Sequence, residues 1–180
     1  MKRNLFILTV IAGISLLYSC NNITAETSSV VEKILQHDDG TISLKLDNAD
    51  FYADAEDRVD NTAEWNVVVS KSGRYNVWIT SATLDTTDLK YKNPVMVNIQ
   101  DKMIQARPGC DKIVMNSSDV PAPYFRADSF IGSLYLQDTG QFYVQVTSEM
   151  IMPKEYNAAG TSAEDITRLI SVSFTPVVTR

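Results

Sequence analysis

Cysteine and histidine are nearly absent from the 180-residue sequence, which has two cysteines and one histidine. Two cysteines cannot build a disulfide framework or a cysteine-rich zinc site. The single histidine, His37, precedes the region predicted to fold, so a Cys–His or Ser–His catalytic pair lacks its base. We therefore expect Cys110 to be a small buried residue rather than a nucleophile.

Glycine, proline and positive charge are also in short supply. Seven glycines and six prolines are too few for a collagenous or low-complexity chain. Sixteen Lys and Arg residues against 22 Asp and Glu give a net charge of −6, which argues against nucleic acid as a ligand. Hydrophobic residues make up 44% of the chain, enough apolar area to favour a folded domain over disorder. The length suits one domain with its own core.

The N-terminus has the pattern of an export signal. Lys2 and Arg3 precede an apolar run, Leu5–Leu17, that is too short for a transmembrane helix. The run ends in the sequence LYSC at residues 17–20, which resembles the lipobox of bacterial lipoproteins of the Bacteroidetes type. The resemblance implies cleavage before Cys20 and lipidation of its thiol, which would anchor the chain to a membrane. The alternative is an ordinary secretory signal in which Cys20 is incidental.

The same resemblance implies the domain organisation and the location. Residues 1–19 are expected to be the signal peptide, residues 20–40 a lipidated tether with a short helix, and residues 41–180 the folded domain. The expected location is the cell envelope, on the outer membrane. Asn21 and Asn22 follow the lipidated cysteine without an acidic residue, which favours the periplasmic face.

The short helix is predicted from helical spacing at the end of the tether. Ser28 or Ser29 is the candidate N-cap. The apolar residues that follow on one helical face are Val30, Val31, Ile34 and Leu35. A turn signal at residues 37–40 ends the pattern.

From Thr41 onward the apolar pattern has a period of two, which is typical of strands with one buried side. The clearest runs are Ile42–Leu46, Trp65–Val69, Tyr75–Ile79, Val95–Ile99, Leu134–Leu136, Phe142–Val146 and Leu169–Phe174. About eight or nine short strands separated by turn signals predict an all-β domain, built as an antiparallel sandwich or barrel. In this pattern Trp65 belongs to the core.

One hairpin is predicted in register. Residues 138–140, Asp-Thr-Gly, suit a three-residue loop whose glycine is left-handed. Leu136 then pairs with Phe142 inside the domain, and Tyr135 pairs with Tyr143 outside it.

Three segments share an order of strands and turns with a known family. They are WNVVVSKSGRYNVWITSA at residues 65–82, FIGSLYLQDTGQFYVQV at residues 130–146 and LISVSFTP at residues 169–176. Together they resemble galactose-binding-like jelly rolls, a layout shared by carbohydrate-binding modules of bacterial glycosidases. The resemblance implies two packed antiparallel sheets that hold ligands, where present, in loops at one rim. It implies a fold more strongly than a ligand, because the same sandwich also serves as a structural or protein-contact module.

Three aromatic residues have the outward parity of their strands: Trp78, Tyr135 and Tyr143. Exposed indole and phenol rings stack on the C–H faces of sugars, and the nearby amides of Asn76 and Gln145 can bond sugar hydroxyls. We therefore expect a glycan site on this aromatic surface. The alternatives are coverage by the N-terminal helix, or an interface with an envelope protein.

The irregular loop NSSDVPAPYFR, residues 116–126, is a second candidate for ligand contact. Two prolines stiffen it, which lowers the entropy cost of presenting Tyr124 and Arg126 to a ligand. In the alternative interpretation the loop is a rigid crossover whose Phe125 closes one end of the sandwich.

An acidic stretch before Trp65 is a candidate site for a structural calcium ion. Asp47, Asp50 and Asp60 lie next to predicted strands, and calcium takes six to eight oxygen ligands. Many jelly rolls of the resembled family carry such an ion near their first strands. The alternative is a solvated acidic loop, and no other cofactor is expected.

Catalysis finds no support in the spacing of carboxylates, in a Ser–His pair or in a phosphate-binding glycine loop. The sequence predicts a membrane-anchored, non-catalytic module that binds a glycan. The alternative is a lipoprotein subunit that docks a partner protein through its exposed aromatic surface.

The lipid anchor can be tested directly. Replacing Cys20→Ala removes the thiol that would carry the acyl groups, so we expect loss of fatty-acid labelling and transfer of the protein from the membrane pellet to the soluble fraction. Cys110→Ala is the matched control and should leave both unchanged. Labelling that persists in Cys20→Ala would contradict the assignment.

Overall fold

The computed structural model describes residues 32–53, 61–151 and 167–178. Within those ranges the chain forms eleven strands, a 3₁₀ turn at Leu46–Asn48 and no α-helix. The strands are β1 (Lys33–Leu35), β2 (Ile42–Lys45), β3 (Asp50–Ala53), β4 (Asn61–Val69), β5 (Gly73–Thr83), β6 (Val95–Ile99), β7 (Lys102–Ala106), β8 (Lys112–Val114), β9 (Phe125–Leu136), β10 (Gly140–Ser148) and β11 (Arg168–Pro176). No helix in these ranges is long and apolar enough to cross a membrane.

The strands form two sheets that pack against each other. Sheet A has the order β1-β4-β10-β6-β7, with β3 also paired to β4. Sheet B has the order β2-β11-β5-β9-β8. Every pairing is antiparallel except that of β1 with β4. The predicted all-β sandwich is confirmed.

The core lies between the sheets and takes the inward side chains of each strand. Its largest fully buried members are Trp65, Tyr75, Phe174, Ile42, Leu44 and Ile79. Trp65 is 1% exposed, as the alternation predicted. Its indole N–H donates to the main-chain oxygen of Lys45 at 2.8 Å, so a buried polar group of sheet A is satisfied by a strand of sheet B.

The predicted helix at the end of the tether is wrong where the structure describes the chain. Residues 33–35 form β1, which pairs in parallel with residues 66–68 of β4. Leu35 is 65% exposed and Ile34 points inward, so the segment has the two-residue alternation of an edge strand. A segment this short gains more backbone hydrogen bonds from the free edge of β4 than from one helical turn. The first part of the predicted helix, residues 28–31, lies outside the described residues.

The predicted hairpin at residues 138–140 is also wrong. β9 belongs to sheet B and β10 to sheet A, so residues 137–139 carry the chain from one sheet to the other. Leu136 pairs with Gly73, whereas Phe142 pairs with Val67. A strand that crosses to the facing sheet still sends alternate side chains into the core. The apolar alternation alone therefore cannot distinguish a crossover from a hairpin.

Gln36 connects two other places where the chain crosses between the sheets. It lies between β1 and β2, is 9% exposed, and its Nε2 donates to the oxygen of Gly40 at 2.6 Å and to the hydroxyl of Tyr75 at 2.8 Å. Its Oε1 accepts from the backbone N–H groups of Ser70 and Lys71 at 2.8 and 2.7 Å. Ser70 and Lys71 form the crossing from β4 to β5. One buried amide thus satisfies backbone groups on both crossings.

Removing the side-chain amide of Gln36 should destabilise the domain. Gln36→Ala leaves two buried N–H groups and a carbonyl without partners, so we expect a loss of about 2–4 kcal/mol in the free energy of unfolding. The matched control is Gln141→Ala, an exposed glutamine on β10, which should change stability by less than about 0.5 kcal/mol. Urea unfolding measures both, and equal losses in the two variants would contradict the role given to Gln36.

Candidate functional site

The structure divides the three predicted aromatic residues between the two outer surfaces of the sandwich. Trp78 on β5 and Tyr135 on β9 point outward from sheet B. Tyr143 on β10 points outward from sheet A, where it pairs with Asn66. Tyr135 and Tyr143 are 54% and 57% exposed, so their outward parity is as predicted. The three rings do not form one platform, because β9 and β10 lie in different sheets.

Trp78 has a different aromatic neighbour, Phe130. The two ring centroids are 5.3 Å apart at an interplanar angle of 57°, and Phe130 is 45% exposed. Phe130 has the same parity as the inward residues Leu134 and Leu136. An irregularity at Ile131 shifts the register between β5 and β9, pairs Phe130 with Trp78 and turns it outward. Sequence alternation therefore missed it.

A groove of about 660 Å³ lies beside this aromatic pair on the outer surface of sheet B. We call it the sheet B groove. Its floor carries hydroxyl side chains from three adjacent strands: Ser43 of β2, Ser171 and Ser173 of β11, and Thr80 of β5. Ser173 pairs with both Ser43 and Trp78, so the indole stands next to the floor.

The floor of the groove consists of short side chains, and two longer segments form its walls. One wall is the link between β8 and β9, which contributes Ser118, Asp119 and Pro121. The other is the 3₁₀ turn with Phe51 of β3. The sequence did carry a signal for the floor, since Ser171 and Ser173 alternate with buried residues of β11.

Arg126 fixes the first wall to the sheet. Its Nε and Nη2 donate to the two carboxylate oxygens of Asp128 at 2.8 and 3.1 Å, and its Nη1 donates to Asp119 at 2.6 Å. Asp128 is 7% exposed and also accepts from the Thr80 hydroxyl at 3.0 Å. The hydrogen bonds to Asp128 raise the pKa of Arg126. Arg126 was predicted to contact a ligand, but its fork is already occupied by two carboxylates of the protein.

The loop that precedes Arg126 supplies a wall of the groove through residues other than those predicted. Tyr124 is half-buried, and its backbone N–H donates to the oxygen of Pro121 at 3.1 Å. Phe125 pairs with Thr83 and is half-buried. The loop meets the sheet B groove at Ser118, Asp119 and Pro121, and Tyr124 does not line it.

The two predicted amides lie on opposite outer surfaces. Asn76 is on β5, and its Oδ1 accepts from the Ser133 hydroxyl at 2.6 Å. Gln145 is on β10 in sheet A and donates to Glu64. Asn76 therefore shares a surface with Trp78, and Gln145 shares one with Tyr143.

The residues proposed for calcium are only partly described. Asp47 lies in the 3₁₀ turn at the groove, and Asp50 is exposed on β3. Asp60 lies outside the described residues. No group of three or more Asp, Glu, His or Cys residues in the described ranges is arranged to hold a metal ion, and the calcium site stays a prediction.

Cys110 is half-buried and packs against the core, a less enclosed position than expected. Burial, followed by the nearby carboxylates of Asp85, Asp88 and Asp111, raises the pKa of its thiol. A raised pKa keeps the sulfur protonated, which is the opposite of what a nucleophile needs.

Comparison with known proteins identifies the fold and no family. No family model and no curated protein matches the chain. Among solved structures, an α-L-fucosidase from Vibrio sp. strain EJY3 has a similar fold, with a TM-score of 0.59 and 16% identity over 79% of this chain. This chain spans only 24% of the fucosidase chain. At 16% identity the similarity shows a shared fold alone.

Two further structures give weaker matches. A Podospora anserina GH26-CBM35 β-(1,4)-mannanase matches 79% of this chain and 29% of its own, with 12% identity and a TM-score of 0.46. The insecticidal crystal protein Cry2Aa matches 79% of this chain and 22% of its own, with 11% identity and a TM-score of 0.46.

The Arg126 network predicts a large effect on stability. Arg126→Ala leaves the buried carboxylate of Asp128 without its charged partner, so we expect a loss of about 2–3 kcal/mol in the free energy of unfolding. Arg74→Ala is the matched control, because Arg74 is an exposed arginine on the same outer surface. Thermal and urea unfolding compare the two. An Arg126→Ala protein as stable as Arg74→Ala would show that the network does not hold the wall.

Proposed function

We propose that this chain is a lipid-anchored, non-catalytic module that binds a glycan in the sheet B groove. The observation that carries the proposal is the groove itself: a floor of hydroxyl side chains beside a partly exposed indole. The aromatic surface predicted from the sequence is thereby reduced to Trp78, with Phe130 added. Tyr143 is assigned no part in it.

The groove has the chemistry that a sugar requires. A sugar ring presents an apolar C–H surface, which stacks on an indole, and a rim of hydroxyls, which bond other hydroxyls and charged groups. Trp78 does not line the groove, but it pairs with Ser173 of the floor and would offer the first contact at its edge. Ser43, Ser171 and Ser173 line the groove and would offer the second. A volume of about 660 Å³ is in the range of sites that bind small ligands. The similarity of this fold to part of an α-L-fucosidase is compatible with a sugar ligand.

The state of the carboxylates at the groove supports binding without catalysis. A glycosidase needs two carboxyl groups free to exchange protons or attack the sugar. Asp47 lies on the opposite wall of the groove, and the other two carboxylates there, Asp119 and Asp128, are both bound by Arg126 through short hydrogen bonds. Either group would have to leave its partner before it acted as an acid or base.

The anchor in this proposal comes from the N-terminal sequence. Lipidation of Cys20 would hold the module on the outer membrane, with the periplasmic side favoured by Asn21 and Asn22. A glycan-binding domain on such an anchor would retain polysaccharide at the envelope.

A second candidate function rests on the outer surface of sheet A. Tyr143, Leu35 and Met103 are 57%, 65% and 61% exposed there. Leu35 and Tyr143 flank β4 in neighbouring rows of the sheet, because Leu35 pairs with Val68 and Tyr143 with Asn66. An envelope protein that docks on this surface would fit the alternative function predicted from the sequence.

The two outer surfaces make the glycan proposal testable with matched variants. A soluble Cys20→Ser protein is screened on a glycan array, and the affinity for any ligand found is measured by calorimetry. Trp78→Ala should weaken binding about tenfold or more, since it removes the stacking surface. Tyr143→Ala removes a more exposed aromatic ring on sheet A and should leave the affinity unchanged.

Two outcomes would count against the glycan proposal. Failure to bind any glycan, with recovery of a stoichiometric envelope protein that Tyr143→Ala releases, would favour the docking function. Glycan binding lost in Tyr143→Ala and retained in Trp78→Ala would place the site on sheet A.

A further inference from the structure

Three cationic side chains line the sheet B groove: Lys45, Arg126 and Arg168. Arg126 and Arg168 are the two cross-strand partners of Ala82, one from β9 and one from β11. Adjacent strands are about 4.8 Å apart, so the two arginines flank one small residue at a separation of about two strand spacings. Lys45 lies in the neighbouring row, opposite Ser171.

The two arginines differ in their ion-pair and hydrogen-bond partners. Arg126 is bound by Asp119 and Asp128. Arg168 forms no ion pair with any carboxylate in the described ranges, and its buried Nε has no hydrogen-bond partner there. Because Arg168 is half-buried and lines the groove, an anionic ligand there would supply the opposite charge that this guanidinium lacks among the described residues.

Lys45 is a second cationic side chain at the groove without an ion-pair partner among the described residues. It is exposed at the edge of the groove. The whole chain carries a net charge of −6, so its overall field repels anions. The groove is also lined by two carboxylates, Asp47 on the 3₁₀ turn and Asp119, which is bound by Arg126. Arg168 and Lys45 are therefore a local pair of cations without an ion-pair partner in the described residues, and not part of a general basic surface.

We infer that the sheet B groove selects an anionic glycan, whose carboxylate or sulfate group binds Arg168 and Lys45 while its hydroxyls bond the serines of the floor. The inference rests on the proposed glycan binding and adds the charge of the ligand. A guanidinium presents two parallel N–H groups to a carboxylate or sulfate. The serine rows beside Arg168 and Lys45 bring the hydroxyls of the same or the next sugar within reach.

The test uses pairs of polysaccharides in which one member has its anionic group esterified or removed. Polygalacturonate is compared with its methyl ester, and a sulfated galactan with the desulfated polymer, on the soluble Cys20→Ser protein by calorimetry. We expect the anionic member of at least one pair to bind about tenfold or more tightly than its neutral match. The pair that shows the preference identifies the anionic group. Raising the salt concentration should reduce the preference.

Variants assign the preference to the groove. Arg168→Gln should abolish the difference between the anionic and neutral members, because it removes the charge that only the anionic member would bind. Arg74→Gln is the control, since Arg74 is an exposed arginine on the same outer surface beside Tyr135, outside the groove. Circular dichroism and thermal melting check folding. Lys45→Gln, at an exposed position, repeats the test if Arg168→Gln fails to fold.

The possible results separate this inference from the proposed function. Equal binding of anionic and neutral polymers, unaffected by Arg168→Gln and Lys45→Gln, would overturn the inference and leave glycan binding intact. A preference that survives both substitutions would also overturn it, by placing the anion elsewhere. No binding to these polymers or to any glycan of the array would overturn both.

Discussion

The sandwich depends on how the chain is held where it passes from one sheet to the other. Two such passages, β1 to β2 and β4 to β5, meet at the side-chain amide of Gln36, which bonds Gly40, Ser70, Lys71 and Tyr75. Neither passage contains enough apolar surface to hold itself in place. The amide supplies donors and acceptors for backbone groups of both passages, and it thereby ties the two passages to each other.

The candidate site follows from the way sheet B uses its outward positions. Short hydroxyl side chains leave a groove over β2, β11 and β5, and the Arg126 network holds a loop upright along one side. The irregularity at Ile131 then turns Phe130 outward against Trp78. Floor, wall and aromatic pair come from segments distant in sequence, and the sheet register brings them together.

The parts of this arrangement that depend on local alternation were predictable from the sequence. The strand pattern placed Trp65 in the core and Tyr135 and Tyr143 on the outside, and burial confirms all three. Sheet membership was not predictable, because an inward residue has the same parity whichever sheet it joins. Phe130 was hidden by a one-residue shift in register. Arg168 and Ser43 gained a role only when β11 was found between β2 and β5.

The parallel pairing of β1 with β4 has a mechanical consequence. In the proposed lipoprotein, tension from the membrane would reach the domain at Lys33, the first residue of β1. A pull along the axis of β1 loads its hydrogen bonds to β4 in shear, so they resist together rather than opening one at a time. Directly after β1, the backbone N–H of Gln36 donates to the oxygen of Val68. The side-chain Oε1 of Gln36 accepts from the backbone N–H of Lys71 in the next crossing. In a chain anchored through its N-terminus, the hydrogen bonds of β1 and those of Gln36 would therefore share a load applied along β1.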